Sequence, residues 1–115
     1  MNNFTIATIP GDGIGKDIIK SAMELVDLSS EIVTGFKCDW EMIDAGAEYY
    51  SKNGADVEPK GEEKIDKADG IFLGAIGLPT IRYDDGTEIC PHLRFREMFS
   101  LYAGVRPVKA YPNIT

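Results

Sequence analysis

One histidine, His92, and two cysteines, Cys38 and Cys90, are all the 115-residue chain offers toward a nitrogen–sulfur metal site. Two thiols far apart in sequence and one imidazole do not assemble a zinc centre, and no C-x-x-C pair marks a redox motif. Both thiols are expected to be reduced. Basic charge is also short: 12 Lys and Arg stand against 19 Asp and Glu, a net charge of −7. That balance excludes a generic nucleic-acid or anionic-membrane binder, which needs a basic face. No apolar run reaches the length of a membrane span, and the N-terminus lacks the regions of a signal peptide. The cytoplasm is therefore the expected location. An acidic chain can still bind an acidic metabolite if its cations gather locally.

What is present reads as an α/β layered domain with a mixed sheet flanked by helices. Phe4 to Ile9 is a short apolar run, the first strand. From Lys16 to Val33 apolar residues recur at helical spacing, with Asp17 in the first turn and Gly35 as the stop. Lys37 to Asp44 alternates as a second strand, with Cys38, Trp40 and Met42 on one face. Short helices are expected over Ala45–Ser51, ended by Asn53-Gly54, and from Pro59 to Lys67, whose charged residues Glu58, Lys60, Glu62, Glu63 and Lys64 form a solvated face. Ile71 to Ala75 has the continuous apolar character of a buried parallel strand. Gly77 to Pro91, rich in Gly, Pro and Asp, is expected to be a long loop, and loops of that length in small domains are usually functional. A helix over His92–Ser100 and an edge or bulged strand over Leu101–Tyr111 complete the set, with a turn at Pro112 to Thr115.

Two segments carry candidate chemistry. Gly11-Asp12-Gly13-Ile14-Gly15 joins the first strand to the first helix. Such a turn lets a ligand approach bare backbone, and N–H groups at a helix start favour negative charge. Lys16 stands where a dinucleotide fingerprint needs glycine, Asp44 at the end of strand two lies beyond the expected distance of about 20 residues, and no Gly-Lys-Ser/Thr follows. A purely structural turn remains the other reading. The second segment, Leu93 to Pro107, spaces Arg94, Arg96 and Arg106 among apolar residues. Arginine forks meet carboxylates bidentately, so one on a helix and one on a following strand can converge on an anion; surface ion pairs are the alternative. His92 is either a structural histidine or a general acid lining the pocket.

Ile9-Pro10-Gly11-Asp12-Gly13-Ile14-Gly15, Leu73-Gly74-Ala75-Ile76-Gly77-Leu78-Pro79 and Leu101-Tyr102-Ala103-Gly104-Val105-Arg106-Pro107-Val108 together resemble the β-decarboxylating dehydrogenases. This is the isocitrate/isopropylmalate dehydrogenase family, and the three motifs occur in its order. The resemblance implies that residues 1–115 form the N-terminal part of an isopropylmalate dehydrogenase-like fold. It also implies oxidation and decarboxylation of a 2-hydroxy dicarboxylic acid by NAD or NADP with Mg2+ or Mn2+. Arg96 and Arg106 match the family's substrate arginines, Cys90 and His92 the positions that meet the variable side group. Ile14, Gly77 and Leu78 match regions that approach the cofactor. Lys16 replaces a proline common among isopropylmalate enzymes, and Cys90 and His92 form no apolar pocket for an isopropyl group. The family's third substrate arginine, catalytic tyrosine and lysine, metal-binding aspartates and adenosine-binding segment have no counterpart here. The chain alone is thus expected to be inactive, and the full-length form to be a homodimer. A non-catalytic dicarboxylate-binding or interaction module, or a non-functional remnant prone to aggregate, are the other readings.

Overall fold

The computed structural model describes residues 1–114. Its elements run β1 (Asn2–Gly11), α1 (Gly15–Val33), β2 (Phe36–Met42), α2 (Ala47–Asn53), α3 (Gly61–Lys67), β3 (Gly70–Ala75) and α4 (Pro91–Met98). The strands form one sheet in the order β2-β1-β3, parallel at both ladders. β1 is central, which explains its apolar run: Ala7, Thr8 and Ile9 have no exposed surface.

Alternation along β1 sends Ala7 and Ile9 to one face, where they pack with Ile43, Ile65 of α3 and Phe95 of α4. The other face receives α1. There Trp40 stacks on Phe72 with ring centroids 5.5 Å apart, and its indole N–H donates to Asp27 of α1 at 2.9 Å. At its N-terminus α1 meets the sheet backbone to backbone. A Cβ on Gly15 would lie 2.2 Å from the Pro10 carbonyl oxygen, and one on Gly74 2.3 Å from the same atom. Two glycines thus set the spacing between the first helix and the ends of β1 and β3.

The α/β layering is as the sequence implies, with element bounds shifted by up to two residues. The mixed sheet is not. Among the described residues every strand pair is parallel, and the strand expected over Leu101–Tyr111 does not form: residues 101–110 carry no regular structure and are exposed. The physical reason lies at the end of α4. Ser100 takes a left-handed conformation (φ 49°), and the Leu101 N–H closes on the Arg96 carbonyl at 3.0 Å, a helix stop that sends the chain away. β propensity measures packing on a neighbouring strand, and no strand stands beside this segment. The expected terminal turn is present at Pro112-Asn113; Thr115 lies outside the described residues.

Candidate functional site

The strand order reverses between β1 and β3, so the crevice at their carboxyl ends is the position where parallel α/β sheets take ligands. Asp12 organises that edge. Its side chain is buried (3% exposed) and accepts three backbone N–H bonds. Oδ2 takes Ala47 at 2.9 Å and Gly77 at 2.7 Å, and Oδ1 takes Glu48 at 2.8 Å. One carboxylate therefore fixes the start of α2 and the start of the loop after β3. The close fit extends to Gly46, where a Cβ would meet Asp12 Oδ2 at 2.8 Å.

Two donors of the glycine turn are already taken within the protein. The Gly13 N–H donates to Glu48 Oε1 at 3.0 Å, and the Asp12 N–H to the Ala75 carbonyl at 2.6 Å. Glu48 also pairs with Lys16. That ammonium, then the Gly13 N–H, holds the Glu48 carboxyl below the usual carboxylate range. At Gly13 the protein supplies its own anion, the Glu48 carboxylate. What the turn presents outward is Ile14, 70% exposed beside the helix start. Gly77 (φ 116°) and the half-buried Leu78, which bridges to Ile81, stand across the same crevice.

The segment from Gly77 to Cys90 is less open than its composition suggests. Isolated bridges join Leu78 to Ile81 and Arg82 to Glu88, and Ile89 is buried. Cys90 is the half-buried residue that caps α4, and Pro91 opens the helix. His92 and Arg96 lie one turn apart and share a face of α4, whereas Arg94 projects from the opposite side. Arg94 is fully engaged: its guanidinium meets Asp56 bidentately at 2.8 and 3.1 Å and Glu62 at 2.8 Å. Asp56 also accepts the Tyr83 hydroxyl. Burial pushes the Asp56 carboxyl up, but the Arg94 and Tyr83 hydrogen bonds outweigh it and hold the group below its ordinary value. Burial, then Asp56, pushes the Tyr83 phenol up to about 12. Ion pairing, one of the two readings of the arginine segment, thus describes Arg94.

Arg96 is exposed and makes no ion pair among the described residues. The Nδ1 atom of His92 is buried and has no hydrogen-bond partner there. Burial first, and the Arg96 charge second, hold the imidazole below its usual pKa, so it is neutral at neutral pH. Arg106 lies on the exposed segment after α4, and its guanidinium folds back to within 3.3 Å of the Cβ position of Gly104. The helix therefore brings Arg96 and His92 together next to Cys90, while no regular element carries Arg106.

A cavity of about 750 Å³ opens beside the glycine turn between α1 and α2, floored by Ile19, Met23 and Ile43. It includes none of Cys90, His92, Arg96, Arg106, Gly77 or Leu78, and is separate from the candidate substrate residues. Among the described residues no three His, Cys, Asp or Glu side chains are grouped to hold a metal ion, and no helix is long and apolar enough to cross a membrane. Sequence reasoning missed the roles of Asp12, Glu48 and Asp56. Asp12 carried a signal, an acidic residue set between glycines in a turn; Glu48 and Asp56 carried none.

Residues 5–115 match the model of the isocitrate/isopropylmalate dehydrogenase family. The chain is 36% identical over 115 residues to a probable tartrate dehydrogenase/decarboxylase from Agrobacterium vitis, covering all of this chain and 32% of that protein. It is 33% identical over 115 residues to a decarboxylating D-malate dehydrogenase from Escherichia coli, covering 99% of this chain and 32% of that one. To a 3-isopropylmalate dehydrogenase from Bifidobacterium longum it is 38% identical over 112 residues, with 97% and 32% covered. A crystal structure of a β-decarboxylating dehydrogenase from Thermococcus kodakarensis superposes with a TM-score of 0.66 at 27% identity, covering 86% of this chain and 27% of that one. The chain thus spans about a third of the length of its relatives. With residues 5–115 matched by its model, the chain belongs to the isocitrate/isopropylmalate dehydrogenase family of oxidative decarboxylating dehydrogenases.

Proposed function

We propose that residues 1–115 supply the dicarboxylate-binding and cofactor-facing part of a dehydrogenase that oxidises and decarboxylates a 2-hydroxy dicarboxylic acid. The substrate is of the isocitrate, isopropylmalate, malate or tartrate type, in keeping with the names of the relatives. The observation that carries the reading is the division of labour on α4. Arg94 is locked to Asp56 and Glu62, which leaves Arg96 as the unpaired guanidinium, one turn from a neutral His92.

In this reading Arg96 and Arg106 grip the two carboxylates. Cys90 and His92 line the side that meets the substrate's variable group. A neutral imidazole can hydrogen-bond a substrate hydroxyl without adding charge beside Arg96. Ile14, Gly77 and Leu78 offer the cofactor an apolar contact surface, which agrees with the Gly13 and Gly77 N–H groups being taken by Glu48 and Asp12. When bound, NAD or NADP accepts the hydride, and Mg2+ or Mn2+ supplies Lewis acidity at the developing ketone. The metal's ligands lie outside this chain. The 115-residue chain by itself turns nothing over, and the full-length form is a homodimer of the cytoplasm.

Calorimetric titration with malate and tartrate tests the reading. Arg96→Ala and Arg106→Ala should each weaken binding about ten-fold or more, the worth of a charge-assisted bidentate contact. Equal binding by wild type and both variants removes the arginine clamp. Reduction of NAD or NADP by the chain alone, with any of the four acids and a divalent cation, contradicts the claim of inactivity.

A further inference from the structure

Helix α4 meets the core through Pro91 and Phe95, its two buried residues, one turn apart on one side. Apolar contact is non-directional, so this pair fixes which side faces inward but not how far the helix rolls about it. At 100° per residue Arg94 stands on one flank of Phe95, and His92 and Arg96 stand on the other. Whatever holds Arg94 therefore sets where His92 and Arg96 point.

Asp56 holds it. Its carboxylate, only 14% exposed, takes the guanidinium as a two-bonded fork at 2.8 and 3.1 Å, a geometry with a fixed plane and direction. The Tyr83 hydroxyl donates to the same carboxylate, and its ring stands edge-on to Tyr50 of α2 with centroids 5.2 Å apart. The Cys90 backbone in turn meets the Tyr83 oxygen. Asp56 itself sits on paired backbone. Its carbonyl accepts the Gly46 N–H at 2.9 Å, Val57 bridges to Ala45, and the Glu58 N–H donates to the Asp44 carbonyl at 2.9 Å. Just beyond Gly46, the Ala47 and Glu48 N–H groups are held by Asp12. One short ladder thus carries both the crevice edge and the anchor of α4.

We infer that Asp56 is a positioning residue for the candidate substrate site: through Arg94 it fixes the roll of α4, and through Tyr83 the placement of Cys90. It touches no ligand itself. Its bearing on dicarboxylate binding rests on the proposed function, whereas its hold on α4 does not.

His92 is the sole histidine, so its imidazole resonances report on the helix without ambiguity. Burial first, and the Arg96 charge second, hold its pKa down. In Asp56→Asn the fork to Arg94 is lost, α4 rolls and the imidazole gains water, so a nuclear magnetic resonance titration should show its pKa rising toward the ordinary value. The sign decides the matter, because losing the Asp56 charge and freeing the Arg94 charge would by themselves push an imidazole down. Tyr83→Phe, which changes no charge near neutral pH, should raise it by less. Asp27→Asn removes the same charge remotely, at the Trp40 contact, and should leave His92 unmoved. Malate affinity by calorimetry should fall about three-fold or more in Asp56→Asn and hold in Asp27→Asn. Should Asp56→Asn fail to fold, Tyr83→Phe decides alone. An unchanged or lowered His92 pKa in the folded variant overturns the inference, as does a rise with unaltered malate affinity or an equal effect of Asp27→Asn. Malate binding absent from the wild type as well would sink the arginine clamp instead, and the His92 titration would then decide the role of Asp56.

Discussion

Replacing Asp12 should cost more than any other single polar change in this chain, and the structure sets the size of the effect. The carboxylate accepts three backbone N–H bonds between 2.7 and 2.9 Å from segments 35 to 65 residues away in sequence. In Asp12→Ala all three donors lose their partner. The Ala47 donor is buried, and the Glu48 and Gly77 donors are partly so. A stranded buried donor costs about 1–3 kcal/mol, and water can re-partner the two outer groups, so the sum should be about 2–4 kcal/mol. For a chain of this size that is a fall of roughly 8–16 °C in Tm. Asp12→Asn should cost about half as much, because an amide oxygen at the Oδ2 position keeps the Ala47 and Gly77 bonds while the amide nitrogen faces the Glu48 donor. Urea unfolding at 25 °C, followed by far-ultraviolet circular dichroism and Trp40 fluorescence, gives both values. An Asp12→Ala protein within about 0.5 kcal/mol of wild type would refute the argument.

Three further outcomes follow from the same geometry. Arg94→Ala should destabilise by about 1–2 kcal/mol, discounted for the guanidinium's partial exposure, whereas Arg96→Ala should stay within about 0.5 kcal/mol in the same unfolding assay; equal losses would erase the distinction between the two arginines. Tyr83 has a folded pKa raised from 10.0 to about 12, so its contribution is whole below pH 10 and is lost as pH climbs toward 12. Stability in that window should fall more steeply for wild type than for Tyr83→Phe, and parallel curves would contradict the Asp56 contact. Gly15→Ala should cost about 2–3 kcal/mol or prevent folding, since its Cβ would sit 2.2 Å from the Pro10 carbonyl oxygen and 2.6 Å from the Ala75 nitrogen; a variant as stable as wild type would show that α1 can shift.

The parts of the fold visible in the sequence are those fixed by local pattern. The apolar run of β1, the helical spacing from Lys16 to Val33 and the Asn53-Gly54 stop each depend on residues a turn or a strand apart. Gly54 adopts the left-handed conformation (φ 73°) that such a stop requires. The 101–111 segment has the same local signature of a strand, yet strand formation needs a neighbour that no local pattern supplies. The candidate site divides along similar lines. Helical geometry alone places His92 and Arg96 on one face. The commitment of Arg94 to Asp56, across 38 residues of sequence, cannot be read from its spacing. The same holds for Glu48, which reaches the Gly13 N–H over 35 residues and turns an apparent anion site into an internal contact.

Nitrogen-15 labelling of the arginine side chains reports most directly on whether Arg96 and Arg106 close around one small dicarboxylate. During titration with malate the guanidinium resonances of both should move together and fit a single dissociation constant, while those of Arg94 stay in place. Movement of only one of the pair, two unrelated constants, or a shift confined to Arg94 would contradict the account.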